Sequence, residues 1–272
     1  MADLFDVATV ETALRGTKFS GRVQHFPSVG STNALALDAA QAGAVDGCVF
    51  VADEQTAGRG RGQHGWHSAA GEGLYVSVLL RPKMAIADAL WISLATGLAA
   101  QTAIAATTGL KVDIRWPNDL MTGEKKCGGV LVETSVAAAQ EDAPAALRYA
   151  VIGVGINVNH EGFPAELDGI ATSLRRESGC VCERERLLVE LLLALDGEME
   201  LLRAELGGGQ TGAGLLERFG AASSWVHGKH VRVEESGGYT GVTDGLDARG
   251  FLRVMGDDGV LHTVLSGGVR AI

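Results

Sequence analysis

The chain has 272 residues, 46% hydrophobic and 21% charged, with a formal net charge of −10 at pH 7. This is enough for one large domain and a small one around a filled core, while the acidic balance argues against a general nucleic-acid binder, whose affinity rests on basic surface. No run of about 18 apolar residues is expected, and therefore no membrane span, and the N-terminal segment, carrying Asp3 and Asp6, has no apolar stretch of signal-peptide length.

In chain order, residues 7–14 are expected as a short helix and 22–27 as a strand. Ser31 is placed to cap a helix over 32–41. Residues 48–52 form a short apolar strand that runs into D-E-Q-T-A-G-R-G-R-G-Q-H-G-W, from Asp53 to Trp66. There Gly58, Gly60 and Gly62 alternate with Arg59 and Arg61. Glycine gives the loop freedom that costs entropy to order. Guanidinium groups present a planar fork that matches carboxylate and phosphate oxygens. The segment reads as a mobile lid that orders around an acidic or phosphorylated small molecule. An exposed, solvated basic turn is the plain alternative.

Residues 74–80 read as a strand stopped by Pro82, and 87–106 as a buried helix. A strand over 112–116 leads into a turn at Pro117. Thr122-Gly123-Glu124 is a tight turn, so 115–116 and 130–132 are expected to pair as a hairpin. Residues 137–146 read as a loop. The strand expected over 149–157 carries Gly153 and Gly155 in its interior, a pattern that marks close approach of a ligand or another backbone. Over 183–205, Leu188, Leu191, Leu192, Leu195, Met199 and Leu202 recur at helical spacing and define one buried face. Gly207-Gly208-Gly209 ends that helix, and 215–219 form another. From about Ser224, short β segments at 231–233, 240–243, 251–254 and 261–264 alternate with turn signals. They make a small antiparallel barrel, too small to be comfortable alone. The expected class is α+β, a mixed or antiparallel sheet with packed helices over 1–223 and a small barrel over 224–272.

Cys48, Cys127, Cys180 and Cys182 are few and irregularly spaced, which suits a reducing cytoplasm. Cys180-x-Cys182, His64-x-x-His67 and His227-x-x-His230 lack companions at metal-ligand spacing. They read as incidental thiols and solvated histidines.

Four ordered segments carry a family resemblance: Ser31-Thr32-Asn33, G-R-G-R followed by Trp66, R-W-P-N-D at 115–119 with K-C-G-G-V-L-V-E at 126–133, and V-I-G-V-G-I-N-V at 151–158. Together they resemble biotin–protein ligases, from about Arg22 onward. The resemblance implies a class II synthetase-like catalytic domain and a C-terminal SH3-like barrel. It also implies ATP-dependent formation of biotinyl-5′-AMP and transfer of biotin to a lysine of a biotin carboxyl carrier protein. ATP with Mg²⁺ and biotin are the small molecules implied. Ser31, Thr32, Gln55, Gly58, Arg59, Arg61, Lys126, Gly128 and Gly129 fall at biotin-binding positions. Arg59, Trp66, Arg115, Trp116, Asn118, Asp119, Gly153, Gly155 and Asn157 fall on the adenylate side. Lys126, Arg61 and Asp119 stand where the family does its chemistry, with Asp119 deprotonating or orienting the incoming amine. Two departures stand out: His64 replaces a third family arginine, and Arg115 replaces a lysine.

Lipoate–protein ligases share the fold and the reaction type, but their arginine-rich triple-glycine segment is not found here. A non-catalytic biotin- or adenylate-binding regulator is a further alternative. Only about 21 residues precede the first family-like strand, too few for a winged helix, so the catalytic form without a DNA-binding domain is expected. No nucleic-acid or membrane partner is implied, and monomer or homodimer is left open.

Overall fold

The structure is a computed structural model that describes residues 5–137, 145–209, 212–235, 237–266 and 268–272. Its main sheet has seven strands: β1 (Val23–Phe26), β2 (Cys48–Ala52), β3 (Gly73–Leu80), β4 (Asp113–Arg115), β5 (Asp119–Thr122), β6 (Lys125–Val136) and β7 (Leu147–Asn157). They lie in the order β1-β2-β3-β7-β6-β5-β4. β1 and β2 run parallel. The other neighbours are antiparallel, so the sheet is mixed.

Both faces are covered. Helix α2 (Thr32–Gln41) lies on one face, where Ala36 and Ala40 pack on Phe50, Leu79, Tyr149 and Val151. On the other face lie α1 (Val7–Ala13), α3 (Ala89–Thr108) and α6 (Arg184–Leu206), joined by α7 (Leu215–Ala222). All six residues of the expected Leu/Met stripe on α6 are buried against this core. Two short helices, α4 (Ala165–Asp168) and α5 (Leu174–Ser178), complete the main unit.

The second sheet is the small SH3-like unit: β8 (His227–Val233), β9 (Tyr239–Leu246), β10 (Leu252–Gly256), β11 (Leu261–Val264) and β12 (Val269–Ala271), ordered β11-β10-β9-β8-β12 and antiparallel throughout. It docks through backbone carbonyls. The indole N–H groups of Trp91 and Trp116 donate to the carbonyls of Arg249 (3.0 Å) and Gly250 (2.9 Å). Gly250 holds φ +87°, which only glycine adopts freely, and a side chain there would meet Leu94 and Leu216.

Four expectations change. The turn at 122–125 joins β5 to β6, and Arg115 pairs with Asp119, so 115–116 and 130–132 are not hairpin partners. The polar Asp119 at its start hid β5. Second, the segment Ile86–Thr108, which includes α3, is long and apolar enough for a membrane span by length and composition alone. It is a core helix whose Ile92, Leu94, Ala99 and Ile104 are fully buried. Third, Ser31 occupies the N-cap of α2 in extended conformation but makes no side-chain capping bond. Fourth, His67 is half-buried, its ring centroid 5.7 Å from that of His160. Most of the loop expected over 137–146 lies outside the described residues.

Candidate active site

Two adjoining cavities open on the α2 side of the sheet and share Gly60, Arg61, Trp66, Asn118 and Lys126. The first is a slot of about 50 Å³ between the N-terminus of α2 and the glycine-bearing stretches of β6 and β7, lined by Ser31, Thr32, Gln55, Arg59, Gly129, Leu131, Gly153 and Gly155 among others. The second, about 500 Å³, reaches from the slot to the small sheet and adds His64, Arg115, Trp116, Asp119, Glu234 and Arg270.

Pleating accounts for the slot. Gly129, Leu131 and Glu133 alternate onto one face of β6. Cross-strand register sets Gly155 beside Gly129, and Gly153 beside both Leu131 and Ser77. A side chain on Gly153 would overlap the Asn33 carboxamide, and one on Gly155 would come within 2.6 Å of Trp66 Nε1. The glycines expected to admit a ligand therefore also admit two side chains of the protein. The Trp66 indole nitrogen is buried and has no hydrogen-bond partner among the described residues. A buried donor left over in a slot is a group a bound molecule can satisfy.

The closed end of the slot is polar. Thr32 N–H donates to Gln55 Oε1 (2.9 Å), and the Thr32 hydroxyl lies 3.1 Å from the same oxygen. Gln55 Nε2 donates to Ser68 (3.0 Å). Ser77 Oγ lies 2.8 Å from Thr32 Oγ1 and 2.5 Å from Asn33 Oδ1. Asn33 Nδ2 donates to Glu133 (2.8 Å), and Glu133 also accepts from Arg59 (3.2 Å). Sequence reading missed Ser77 and Glu133 in this role. Ser77 is a polar residue among the aliphatic residues of β3, and Glu133 ends the apolar run of β6 that begins at Val130, signals overlooked beside the arginine lid.

The lid is a narrow hairpin lying over the slot. Trp66 N–H donates to Gly58 O (2.9 Å), Gly60 N–H to His64 O (2.7 Å), and Arg59 bridges Gly65. Arg61 donates to Ser266 O of the small unit (2.7 Å). Burial pushes the Arg61 guanidinium below its ordinary range, opposed by the charges of Asp119 and Glu235.

Lys126 stands where the cavities meet. Its ammonium is 2.5 Å from Asp119 Oδ1 and 5.3 Å from the Trp66 ring centroid. The other Asp119 oxygen takes Arg115 Nη2 at 2.6 Å and Nε at 3.1 Å. Burial raises the Asp119 carboxyl, but Lys126 and Arg115, by charge and hydrogen bond, outweigh it and hold it below the usual carboxylate range. Asn118 donates to Val130 O (2.7 Å). Among the described residues no group of three or more His, Cys, Asp or Glu is arranged to hold a metal ion.

Three expected residues line neither cavity. Asn157 is buried and donates to Thr172 O (3.0 Å). Gly128 faces away, making room for Leu120 and the Gly155 carbonyl. Gly58 makes room for the Trp66 carbonyl across the lid hairpin. Trp116 reaches the second cavity with its ring, but its donor is committed to Gly250.

The profile of the Biotin/lipoate A/B protein ligase family matches residues 25–157, and that of the Biotin protein ligase C terminal domain matches 226–269. The chain is 36% identical over 234 residues to the biotin–[acetyl-CoA-carboxylase] ligase of Mycobacterium tuberculosis, covering 82% of this chain and 79% of that one. It is 39% identical over 170 residues to the bifunctional ligase/repressor BirA of Bacillus spizizenii, covering 62% of this chain. It spans about half the length of that relative and of its Bacillus subtilis counterpart. Among solved structures, the biotin protein ligase of Aquifex aeolicus in complex with biotin and ATP superposes with a TM-score of 0.75 at 25% identity, covering 93% of this chain and 100% of that one. The slot, the lid and the second sheet thus belong to a chain of the biotin/lipoate protein ligase family, in its biotin protein ligase branch.

Proposed function

We propose that this protein activates biotin with ATP and transfers it to one lysine of a biotin carboxyl carrier protein. The observation that carries the reading is the meeting of two cavities at Lys126: a polar-ended slot on one side and a cation-lined chamber on the other. In the first step a biotin carboxylate oxygen bonds to the α-phosphorus of ATP, and the α–β bridging oxygen leaves with pyrophosphate. In the second, the lysine nitrogen bonds to the acyl carbon, the acyl–oxygen bond to phosphate breaks, and AMP departs.

Biotin's ring is an uncharged urea. Ser31, Thr32 and Gln55 offer it donors and acceptors in a narrow slot. Arg59, Arg61 and Lys126 face the carboxylate and the α-phosphate, where fixed positive charge offsets the repulsion between two anions and the charge that builds as they join. Gly129 leaves the strand close to the ligand, with the Lys126 ammonium within 3.2 Å of where a side chain would begin. Trp66, Arg115, Asn118, Asp119, Gly153 and Gly155 serve the adenylate. Mg²⁺ enters with ATP as its companion.

Asp119 acts by position. A carboxylate held low by two cations is a poor base, so it sets Lys126 and Arg115, and the acceptor lysine loses its proton to water or departing phosphate. The working division is a catalytic unit over 1–223 and an SH3-like unit over 224–272. The setting proposed is the cytoplasm, in keeping with cysteines that are all free.

A lipoate-joining enzyme of the same fold is the second reading. The hydrogen-bonding end of the slot suits a urea better than a dithiolane. ATP–pyrophosphate exchange with biotin and with lipoate tests the choice. Biotin-dependent exchange is expected, and exchange with lipoate alone would overturn it.

A further inference from the structure

We propose that Glu133 is the positioning residue for Arg59, holding its guanidinium over the slot through a chain of hydrogen bonds that runs under the ligand. The proposal rests on the biotin reading above for its functional consequence, and on geometry alone for the anchoring.

Glu133 lies on the slot face of β6, two residues past Leu131. One carboxylate oxygen takes both Asn33 Nδ2 (2.8 Å) and Arg59 Nη2 (3.2 Å). Asn33 is buried at the start of α2, over the gap left by Gly153, and its carbonyl oxygen meets Ser77. Ser77 reaches Thr32, and Thr32 reaches Gln55. Gln55 in turn bonds Ser68, just past the far strand of the lid. The chain therefore ties both ends of the lid to the floor of the slot.

The arrangement has little to offer stability. The Arg59 and Glu133 side chains are 45% and 29% exposed, and a screened pair of that kind is worth little to the fold. Its effect is geometric. Arginine carries several rotatable bonds, and a fixed acceptor at the strand end removes that freedom before the ligand arrives. Asn33 fixes the acceptor in turn, because its amide can reach Glu133 only where residue 153 has no side chain.

The test compares Glu133→Ala with Glu133→Gln, which keeps an acceptor for both donors but not the charge. The expected result for Glu133→Ala is a biotin KM raised about tenfold, with kcat lowered and the ATP KM raised by less than the biotin KM. Glu133→Gln should recover most of the loss. In an Arg59→Ala background, Glu133→Ala should add nothing further. Equal losses for biotin and ATP, additive losses in the double variant, or a biotin KM that falls because Glu133 competes with the substrate for Arg59 would each overturn the proposal. Amide hydrogen exchange over 58–66 in the ligand-free protein reads the anchoring without biotin. It should quicken in Glu133→Ala and hold in Glu133→Gln, and unchanged exchange in both would also overturn it. If wild type shows no biotin-dependent pyrophosphate exchange, the enzymatic reading fails while the hydrogen-exchange result still judges the anchoring.

Discussion

Lys126→Ala separates chemistry from fold. The ammonium stands with Arg61 at the junction of the two cavities, and its partner Asp119 is also bound by Arg115 at 2.6 and 3.1 Å. Truncation therefore leaves the buried carboxylate with a counter-ion and two hydrogen bonds. Lys126 is 32% exposed, so solvent screens much of what its pair adds to stability. The melting temperature should shift only slightly. Adenylate formation should suffer far more, because removing one preorganised charge from the point where negative charge develops costs about 10²–10³ in rate, roughly 3–4 kcal/mol of barrier. Biotin-dependent ATP–pyrophosphate exchange reads that step without the carrier protein. Circular dichroism and thermal melting on the same samples guard against unfolding. Exchange at the wild-type rate in a folded Lys126→Ala protein would refute the assignment of Lys126.

Trypsin should cut at Arg59 or Arg61 in the free protein and be blocked by biotin plus ATP, and equal cutting in both states would count against a lid that moves. Arg61→Gly should let biotinyl-5′-AMP escape, raising labelling of unrelated lysines as carrier labelling falls; retention as tight as wild type would show that Arg61 does not clamp. Gly153→Ala should drive Asn33 out of its place over β7 and weaken biotin binding by about tenfold or more, which calorimetry would detect and an unchanged affinity would contradict. Burial, with the charge of nearby His67 second, pushes the His160 imidazole down to about 4, so the folded protein holds it neutral while the unfolded chain protonates near ~6.5. Its contribution to stability is full above about 6.5 and is lost as pH falls toward about 4, on the order of 3 kcal/mol in all. Denaturation of wild type and His160→Gln at pH 7 and pH 5 should show a flatter pH slope in the variant; parallel slopes would dismiss the residue as the source.

The long amphipathic and apolar segments were legible because one period settles them: the stripe from Leu188 to Leu202, the strand ending at Leu80, and the helix beginning at Thr32. What escaped was set by pairing with other segments, not by a pattern within the segment. β5 is four residues beginning at Asp119, and nothing local separates it from a turn; the ladder to β6 makes it a strand. β12 is three residues held by β8. In the site, Arg59, Arg61 and Lys126 stood out because charge beside glycine is conspicuous. Glu133 and Ser77 did not, because their meaning comes from Asn33, 100 and 44 residues away. Asn157 and Gly128 line neither cavity, because a motif gives order along the chain, whereas pleating decides which face a residue serves.

The charge arrangement explains how an acidic chain can take anionic substrates. Around the two cavities stand Arg59, Arg61, Arg115, Lys126 and Arg270, against Asp119, Glu133 and Glu234, with the charge of Glu235 also acting on Arg61. The local excess is about one positive charge on a chain whose formal net charge is −10. Paired cations can sit in a partly dry site without the cost of isolated ones. The slot of about 50 Å³ is well below the ~300 Å³ at which small-molecule pockets begin, so the proposed lid would have to rise from this conformation to admit biotin. In the proposed reaction, biotin's carboxylate and the nucleotide phosphates would meet Arg59 with Glu133 still holding it, while Arg61 and Lys126 would turn from Ser266 and Asp119 toward the ligand. On the proposed function, substrate affinity would be tied to lid position, because Arg59 and Arg61 are both carried on the segment from Gly58 to Trp66.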